Sequence, residues 1–237
     1  MKISMTCFLV LFFYQEVKTQ SILKTMKHWP DTGQTSGFTT TFGEDNDFTF
    51  YSPAYSDNGN GTITDTVTGL IWQKTDGGEM TIEQAIQYCD TLSLAGYSDW
   101  RLPGAKEAYS IQHLEHLNPS TDTTFFTKTS AEYWWTRDRQ ANDSTKIWVT
   151  NAGGGIGNHP KTETISAGGT KKFHVRAVRD ASLPPTIQQR FLMMNTTVID
   201  SITMLQWQRI LTTDSVTWED ALQMADTSSY AGYTDWR

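Results

Sequence analysis

Two nearly identical phrases constrain this chain more than any other feature of its sequence. AGYSDWR occupies Ala95–Arg101, and AGYTDWR occupies Ala231–Arg237. Extended toward the N-terminus, the match becomes Thr81–Arg101 against Thr217–Arg237, with 13 of 21 positions identical. This is an internal duplication.

The duplication continues upstream, where Asn60–Lys74 aligns with Asn195–Arg209 without a gap. We name residues 60–101 segment 1 and residues 195–237 segment 2. Their offset of about 135 residues is long enough for one whole domain per copy and too long for a short solenoid repeat.

The sequence predicts two domains of unequal extent. Segment 1 is followed by further predicted strands up to HVRAVRD, whereas nothing follows segment 2. We expect a first domain over residues 32–181, a linker over 182–189 and an incomplete second domain over 190–237, in a fragment of a longer protein. The prolines of ASLPPT mark the linker, because proline interrupts helices and central strands.

The N-terminus is typical of a secretory signal peptide over residues 1–20. Lys2 precedes an apolar stretch at Met5–Tyr14 that is too short to cross a bilayer, which takes roughly 20 apolar residues. A buried strand or helix is the alternative. No later stretch has the length to span a membrane, so we expect a secreted or cell-surface protein and leave membrane association open.

Charge and cysteine content narrow the function classes. The formal net charge of −7, without a basic run, argues against a nucleic-acid partner. The cysteines are Cys7, inside the predicted signal, and Cys89, so Cys89 has no intrachain partner in the mature protein. Because paired CxxC spacing is also missing, we predict no metal and no cofactor.

Local patterns predict an α+β fold. DNGNGTITDTVTGLIWQK is expected to form a hairpin with a Gly-Asn-Gly tip. An amphipathic helix is predicted over Met80–Leu92, with Thr81 as N-cap and Gln84 completing a capping box. Its buried face is expected to carry Ile82, Ala85, Ile86 and Cys89.

The DWR phrase is predicted to be a structural corner, with a catalytic role as the alternative. Trp100 is expected to be buried between two helices, while Asp99 and Arg101 point elsewhere. Pro103 suits the first position of a second helix over residues 104–117.

Short strands are predicted after the second helix, at residues 131–138, 144–151, 162–167 and 170–180. Gly168 and Gly169 offer a turn between the last two, and NAGGGIGNHP at Asn151–Pro160 is expected to be a flexible loop. The predicted architecture is two helices packed on short antiparallel strands.

Searches for chemistry find no catalytic signature. GxSxG is absent, and Cys89 is expected to be an inert buried thiol. His113 and His116 are expected to lie on a solvated helix end, with a zinc pair as the alternative that lacks a visible third ligand. GEDNDF and SDNGNGTITD supply calcium-type oxygens without EF-hand spacing. Paired carboxylates for glycoside hydrolysis stay open, because their separation in space is not encoded in the sequence.

One constellation predicts a ligand-binding surface. Trp134, Trp135 and Trp148 lie on predicted strands near a loop that contains Asn151 and His159. Aromatic faces with nearby amide and imidazole groups suit carbohydrate or protein recognition. Core packing is the alternative, and the adjacent Trp134 and Trp135 should face opposite sides of their strand.

Several motifs, taken in order, resemble the Lcl C-terminal domain family: TGQTSGFTTTFGEDNDF, DNGNGTITDTVTGLIWQK, AGYSDWRLP, EYWWT, WVTNAGGGIG and FHVRAVRD. The resemblance covers about Thr32–Asp180 in full and segment 2 in part. It implies a C-type-lectin-like fold on an exported bacterial protein, often in tandem copies. That family usually pairs the helix cysteine with one in its closing strand, where this chain has Ala177, so the resemblance implies an unpaired Cys89.

Together these features predict an exported, lectin-like binding or adhesion module without catalysis, with an extracellular glycan or protein as its partner. Tandem copies would raise avidity for a repetitive surface. A glycan-active hydrolase and a purely structural spacer are the alternatives.

Overall fold

The computed structural model describes residues 22–127, 132–162, 170–210 and 215–237, so the predicted signal peptide lies outside the described residues. The strands are β1 (Ile22–Leu23), β2 (Tyr55–Asp57), β3 (Thr62–Asp65), β4 (Leu70–Gln73), β5 (Glu79–Met80), β6 (Tyr133–Gln140), β7 (Asp143–Asn151), β8 (Ile156–Pro160), β9 (Phe173–His174), β10 (Val178–Asp180), β11 (Thr186–Ile187), β12 (Phe191–Met193), β13 (Thr197–Asp200) and β14 (Leu205–Gln208). The helices are α1 (Ile82–Thr91), α2 (Ala105–Tyr109) and α3 (Trp218–Asp226). The protein is mixed α and β, rich in strands and poor in helices, and within the described ranges no helix could cross a membrane.

The predicted hairpin is present and belongs to a four-stranded sheet of order β10-β4-β3-β2. Gly59 and Gly61 adopt positive φ angles at the turn before β3, a conformation that costs glycine little. Ile63, Leu70 and Trp72 are fully buried and share a core cluster that also contains Phe126 and Val178.

A second, five-stranded sheet has the order β5-β9-β6-β7-β8, with a parallel contact between β6 and β9. Residues of α1 pack on one face of this sheet, and α2 contacts β6 and β7. The flexible loop predicted at 151–160 is wrong in its second half, because Ile156–Pro160 forms β8 and pairs antiparallel with β7. The turn between β7 and β8 contains the glycines at positions 153–155.

Helix α1 confirms the predicted capping box, in which Thr81 accepts from the Gln84 backbone and the Gln84 side chain accepts from the Thr81 backbone. The predicted buried face is correct except at Ile86, which is exposed. The face of α1 that contacts the sheet is narrower than the apolar pattern of the sequence, so Ile86 lies at its solvent-exposed edge.

The predicted second helix is wrong in its length. Helix α2 ends at Tyr109, and its N-cap is Gly104, which puts Pro103 outside the helix. The helix ends here because Gln112 forms a β-bridge with Thr121. In addition, the backbone N–H of His113 donates to the carbonyl of Ser120. Nonlocal pairing therefore overrides the helical pattern of residues 110–117.

The closing stretch predicted as one strand over 170–180 is divided between two sheets. Phe173–His174 joins the five-stranded sheet and Val178–Asp180 joins the four-stranded one. The predicted Gly168–Gly169 turn, and all of the strand predicted at 162–167 except Thr162, lie outside the described residues.

Segment 2 forms the same hairpin as segment 1. Strands β13 and β14 pair from Thr197↔Gln208 to Asp200↔Leu205, as β3 and β4 pair from Thr62↔Gln73 to Asp65↔Leu70. Helix α3 starts after an N-capping threonine as α1 does. The predicted linker is anchored, because Thr186 and Ile187 pair with β1.

Candidate functional site

The five residues predicted to bind a ligand all lie on β6, β7 and β8, but the structure distributes them between the two faces of the sheet. The ladder pairs Trp135 with Val149, Ile147 with His159, and Trp148 with Asn158. Because side chains alternate along a strand, Trp135 and His159 share the α1 face, whereas Trp134 and Trp148 share the α2 face.

Trp134 and Trp135 are interior residues, with exposures of 6% and 0%. The indole N–H of Trp135 donates to the Met80 carbonyl at 2.9 Å, and that of Trp134 donates to Asp76 at 3.3 Å. Both faces of the sheet are covered at this point, so both rings can be buried at adjacent positions. Neither ring is available on the surface, which corrects the expectation that they form part of a recognition surface.

Asn151 shapes the β7–β8 turn. Its side-chain oxygen accepts the backbone N–H groups of Gly153 and Gly155 at 2.9 and 3.0 Å. Such a turn uses the asparagine side chain as a substitute for backbone pairing. The amide oxygen is therefore engaged within the turn.

His159 belongs to an aromatic group on the α1 face. Its ring lies 4.4 Å from the ring of Tyr133 and 5.3 Å from the ring of Phe173, measured between centroids. His159 and Trp148 thus point to opposite sides of the sheet. The predicted constellation does not converge on one site.

Trp148 is half-buried and lies on β7, the strand next to the last one of the sheet. Asn158 is directly opposite on β8, and the exposed Ile156 is on the same face two residues earlier. We name Trp148, Ile156 and Asn158 the edge patch. It combines an indole on β7 with an aliphatic side chain and an amide on β8, the last strand of the sheet.

A cluster that the sequence reasoning missed lies on the same face at the opposite margin. The carboxylate of Asp76, whose side chain is fully buried, contacts His174 Nδ1 at 2.9 Å and accepts from the Trp134 indole. On the other side of the ring, His174 Nε2 is 3.6 Å from a carboxylate oxygen of Glu79. A buried carboxylate therefore orients an imidazole whose second nitrogen faces a surface carboxylate.

No pattern in the sequence predicts this cluster, because Asp76, Trp134 and His174 are far apart in the chain. Arg176, two residues after His174, is also buried and donates to the carbonyls of Gln73 and Thr127. Burial lowers the pKa of Arg176 to about 10, and the charge of Asp76 opposes that change. Through these hydrogen bonds, the buried guanidinium of Arg176 holds the loop after β4 in place.

The DWR phrase forms a structural corner, as predicted, but Trp100 packs in the core cluster of α1 and the five-stranded sheet rather than between two helices. Trp100 is buried, and its indole N–H points at the Leu94 carbonyl. The backbone of Arg101 exchanges two hydrogen bonds with Val178, each 2.9 Å long. The corner is thereby attached to the closing strand β10.

Ion pairs on both sides of Trp100 complete this attachment. Asp99 accepts from Arg179 at 2.7 and 3.0 Å, and hydrogen bonding by Arg179 lowers the pKa of Asp99. Arg101 makes two bonds to Glu107, at 2.7 and 3.0 Å, and also pairs with Asp180.

Glu107 is the buried member of this network. Burial alone would raise its pKa, but hydrogen bonding and the charge of Arg101 outweigh burial, so the pKa of Glu107 is lowered. The carboxylate also accepts the Gly104 N–H at 2.7 Å, which caps α2. The motif thus couples the corner, the second helix and the closing strand through one carboxylate.

The residues considered for metal or nucleophile chemistry have structural partners. Within the described ranges, no group of three ligating side chains is positioned for a metal ion, and the His113 and His116 rings stack at 4.0 Å. Glu44 and Asp57, from the two candidate calcium loops, bond to Thr39 and Lys74. Cys89 is a free, buried thiol whose pKa is raised to about 12 by burial.

The profile of the Lcl C-terminal domain family matches residues 61–179. The chain belongs to this family, as the resemblance of its motifs implied. The match covers one copy, from β3 into β10, and includes the corner network except Asp180. Searches of curated proteins and of solved structures return no match.

Proposed function

We propose that this protein is a non-catalytic recognition module of an exported protein, with a C-type-lectin-like fold, that binds a surface glycan or protein. The observation that carries the proposal is the edge patch, where a half-buried Trp148 lies beside Asn158 and the exposed Ile156. An indole face stacks on sugar rings or apolar side chains, and an adjacent amide supplies directed hydrogen bonds.

The position of the patch favours recognition of a large partner. Strand β8 is the last strand of its sheet, so an extended surface can approach it without displacing any described element. The side chains with strong chemistry are engaged in the interior: Cys89 is buried, and Arg101 and Glu107 bind each other. These engagements support binding over turnover as the main activity.

Export and duplication complete the proposal. The apolar stretch after Lys2 supports export, and the similarity of segment 2 to segment 1 supports a second copy of the domain beginning at about residue 190. The equal hairpin registers of the two segments are consistent with a copied unit. Two modules in one protein would raise avidity for a repetitive surface.

An array of glycans and matrix proteins tests the binding proposal. The intact protein is expected to bind a subset of the array, and Trp148→Ala is expected to weaken that binding about tenfold or more, as for an aromatic anchor. Phe38→Ala is the matched control, because Phe38 is an exposed aromatic residue in the segment before β2 and not on β7 or β8. Absence of binding across the array would favour the structural spacer instead.

A glycan-active hydrolase is the second candidate, favoured by the Asp76–His174–Glu79 cluster alone. A carboxylate-oriented imidazole is a common general base, and here its second nitrogen faces the surface. Turnover of any array glycan that is lost in His174→Gln and kept in Trp148→Ala would support the enzyme. Unchanged products after incubation with every glycan would remove it.

A further inference from the structure

The backbone holds the imidazole of His174 and the carboxylate of Glu79 together at one margin of the five-stranded sheet. The two residues are directly opposite each other in the antiparallel pair of β5 and β9. Directly opposite side chains lie on the same face of a sheet and within reach of each other. On its other side, His174 pairs with Trp134 in the parallel bridge between β9 and β6. The position of the imidazole is therefore fixed by strands on both sides.

Asp76 determines which nitrogen of His174 is free. One oxygen of its buried carboxylate accepts the Gly78 N–H at 3.0 Å. The other oxygen lies 2.9 Å from His174 Nδ1 and accepts the Trp134 indole N–H at 3.3 Å. An ionised carboxylate accepts hydrogen bonds and donates none. The imidazole therefore donates through Nδ1, and the lone pair of its Nε2 faces away from Asp76.

On the outer side of the ring, this lone pair meets a second acceptor. His174 Nε2 is 3.6 Å from a carboxylate oxygen of Glu79, and the Glu79 side chain is 66% exposed. Among the described residues, no lysine or arginine forms an ion pair with Asp76 or Glu79. Two acceptors at this separation are held together by a cation between them, which is either a proton on Nε2 or a metal ion.

We infer that His174 Nε2 and the Glu79 carboxylate are the protein ligands of a divalent transition-metal site, in which Asp76 orients the imidazole. Zinc bonds of about 2.0–2.2 Å at a tetrahedral angle put a nitrogen and an oxygen ligand about 3.4 Å apart, close to the 3.6 Å found here. The contact between Asp76 and His174 is the carboxylate–histidine arrangement that metal-binding histidines use. Solvent oxygens complete the coordination, because the described residues supply no third ligating side chain.

The ligand pair also predicts which metals bind. An imidazole with a carboxylate suits zinc and copper(II), whereas magnesium prefers oxygen ligands alone. The expected order of affinity is copper(II) above zinc and zinc above manganese(II), and magnesium should not compete. A metal on Nε2 occupies the lone pair that a general base needs, so this site differs from the hydrolase role considered for His174. It is also independent of the edge patch.

Calorimetric titration of the full chain with zinc chloride near neutral pH tests the inference. His174→Gln is expected to weaken zinc binding about hundredfold and Glu79→Gln about tenfold, because each variant removes one protein ligand. Asp76→Asn is expected to weaken binding about ten- to hundredfold, as for other residues that orient a metal-binding histidine. Because Asp76 is buried, its variant is also checked for folding by circular dichroism, whereas Glu79→Gln changes an exposed side chain.

The matched controls are His116→Gln and Glu219→Gln. Each removes the same type of side chain outside the cluster, since His116 stacks on His113 and Glu219 lies on α3. Both controls are expected to bind zinc as tightly as the unmodified protein does. Zinc should also shift the Nε2 resonance of His174 in NMR spectra, which identifies the liganding nitrogen.

Four results would overturn the inference. The first is zinc binding that is unchanged in both His174→Gln and Glu79→Gln, and the second is an equal loss of binding in His116→Gln. The third is competition by magnesium as strong as that by manganese(II). The fourth is absence of zinc binding to the unmodified protein, which would leave a proton as the cation between His174 and Glu79.

Discussion

Segments 1 and 2 share a local fold and differ in what surrounds them. Their hairpins have the same register, and the left-handed residues of their corners agree closely, with φ 56° at Ala95 and 55° at Ala231. Yet Trp72 has no exposed surface while Trp207 is 55% exposed. Local sequence therefore sets the shape of this unit, and the strands packed around it set its burial.

The largest difference between the segments is expected at their equivalent hairpin tryptophans. Trp72→Ala should reduce the free energy of unfolding by about 3–5 kcal/mol, because it leaves a cavity in a closed core. Trp207→Ala should cost less than about 1 kcal/mol, because the ring is already largely exposed. Urea unfolding followed by circular dichroism measures both, and equal costs would contradict the comparison.

An introduced cysteine is expected to form a disulfide beside α1 but to stay free on α3. Cys89 and Ala177 lie in one core cluster, so Ala177→Cys is expected to form a disulfide with Cys89 and to stabilise the oxidised protein by up to about 4 kcal/mol. Ala225→Cys, at the equivalent helix position of segment 2, is the control and is expected to remain a titratable thiol.

Thiol titration after denaturation reads the outcome of both cysteine variants. Three free thiols in the oxidised full-length Ala177→Cys protein, which also carries Cys7, would show that the closing strand and α1 do not meet as described. Because burial raises the pKa of Cys89, oxidation is expected to need a catalyst or partial unfolding, since thiolate is the reactive form.

Replacement of the corner arginines, Arg101 and Arg237, is expected to give a smaller difference in stability between the two segments. Arg101→Ala leaves the buried Glu107 without its partner and is expected to cost about 2–3 kcal/mol, the value of hydrogen bonds to charged groups. Arg237→Ala removes contacts with the Phe48 and Phe50 rings and should cost at most about 1 kcal/mol.

Acid titration gives an independent reading of the same network. The pKa of Glu107 is lower in the folded protein than its ordinary value of 4.5, so on acidification the unfolded state binds the proton first. The stabilisation by Glu107 is therefore complete above about pH 4.5 and is lost as the pH falls through the folded value. Arg101→Ala should flatten this part of the stability profile, and an unchanged acid dependence would contradict the assignment.

The smallest effect is expected in the β-turns. Gly69 and Met204 occupy equivalent positions with φ of 74° and 61°, a conformation that favours glycine. Met204→Gly should stabilise segment 2 by about 0.5–1 kcal/mol, whereas Gly69→Ala should destabilise segment 1. Hydrogen exchange of the β13–β14 amides detects the first change, and greater protection of these amides in the unmodified protein would contradict it.

Sequence reasoning succeeded where the signal is local and failed where distant chain segments meet. The capping box at Thr81 and the buried Trp100 corner were predicted correctly, because neighbouring residues encode them. The extended helix over 104–117 and the flexible loop at 156–160 were wrong, because backbone pairing determines both: Gln112 bridges Thr121, and β8 pairs with β7. The Asp76–His174 contact was missed for the same reason, since its members are joined only by the sheet.

The candidate binding residues show the same division. Alternation correctly put Trp134 and Trp135 on opposite sides of their strand, but it could not tell that elements on both sides would bury them. Only the ladder between β7 and β8 identifies the edge patch, because Asn158 meets Trp148 through strand pairing.

The sequence by itself determined the family and the geometry of local turns, because family motifs and turn residues are recorded in the order of the chain. The tertiary structure alone decided which tryptophans are buried and which charges are paired. Burial and charge pairing depend on contacts between remote segments, and no periodicity within one segment records them.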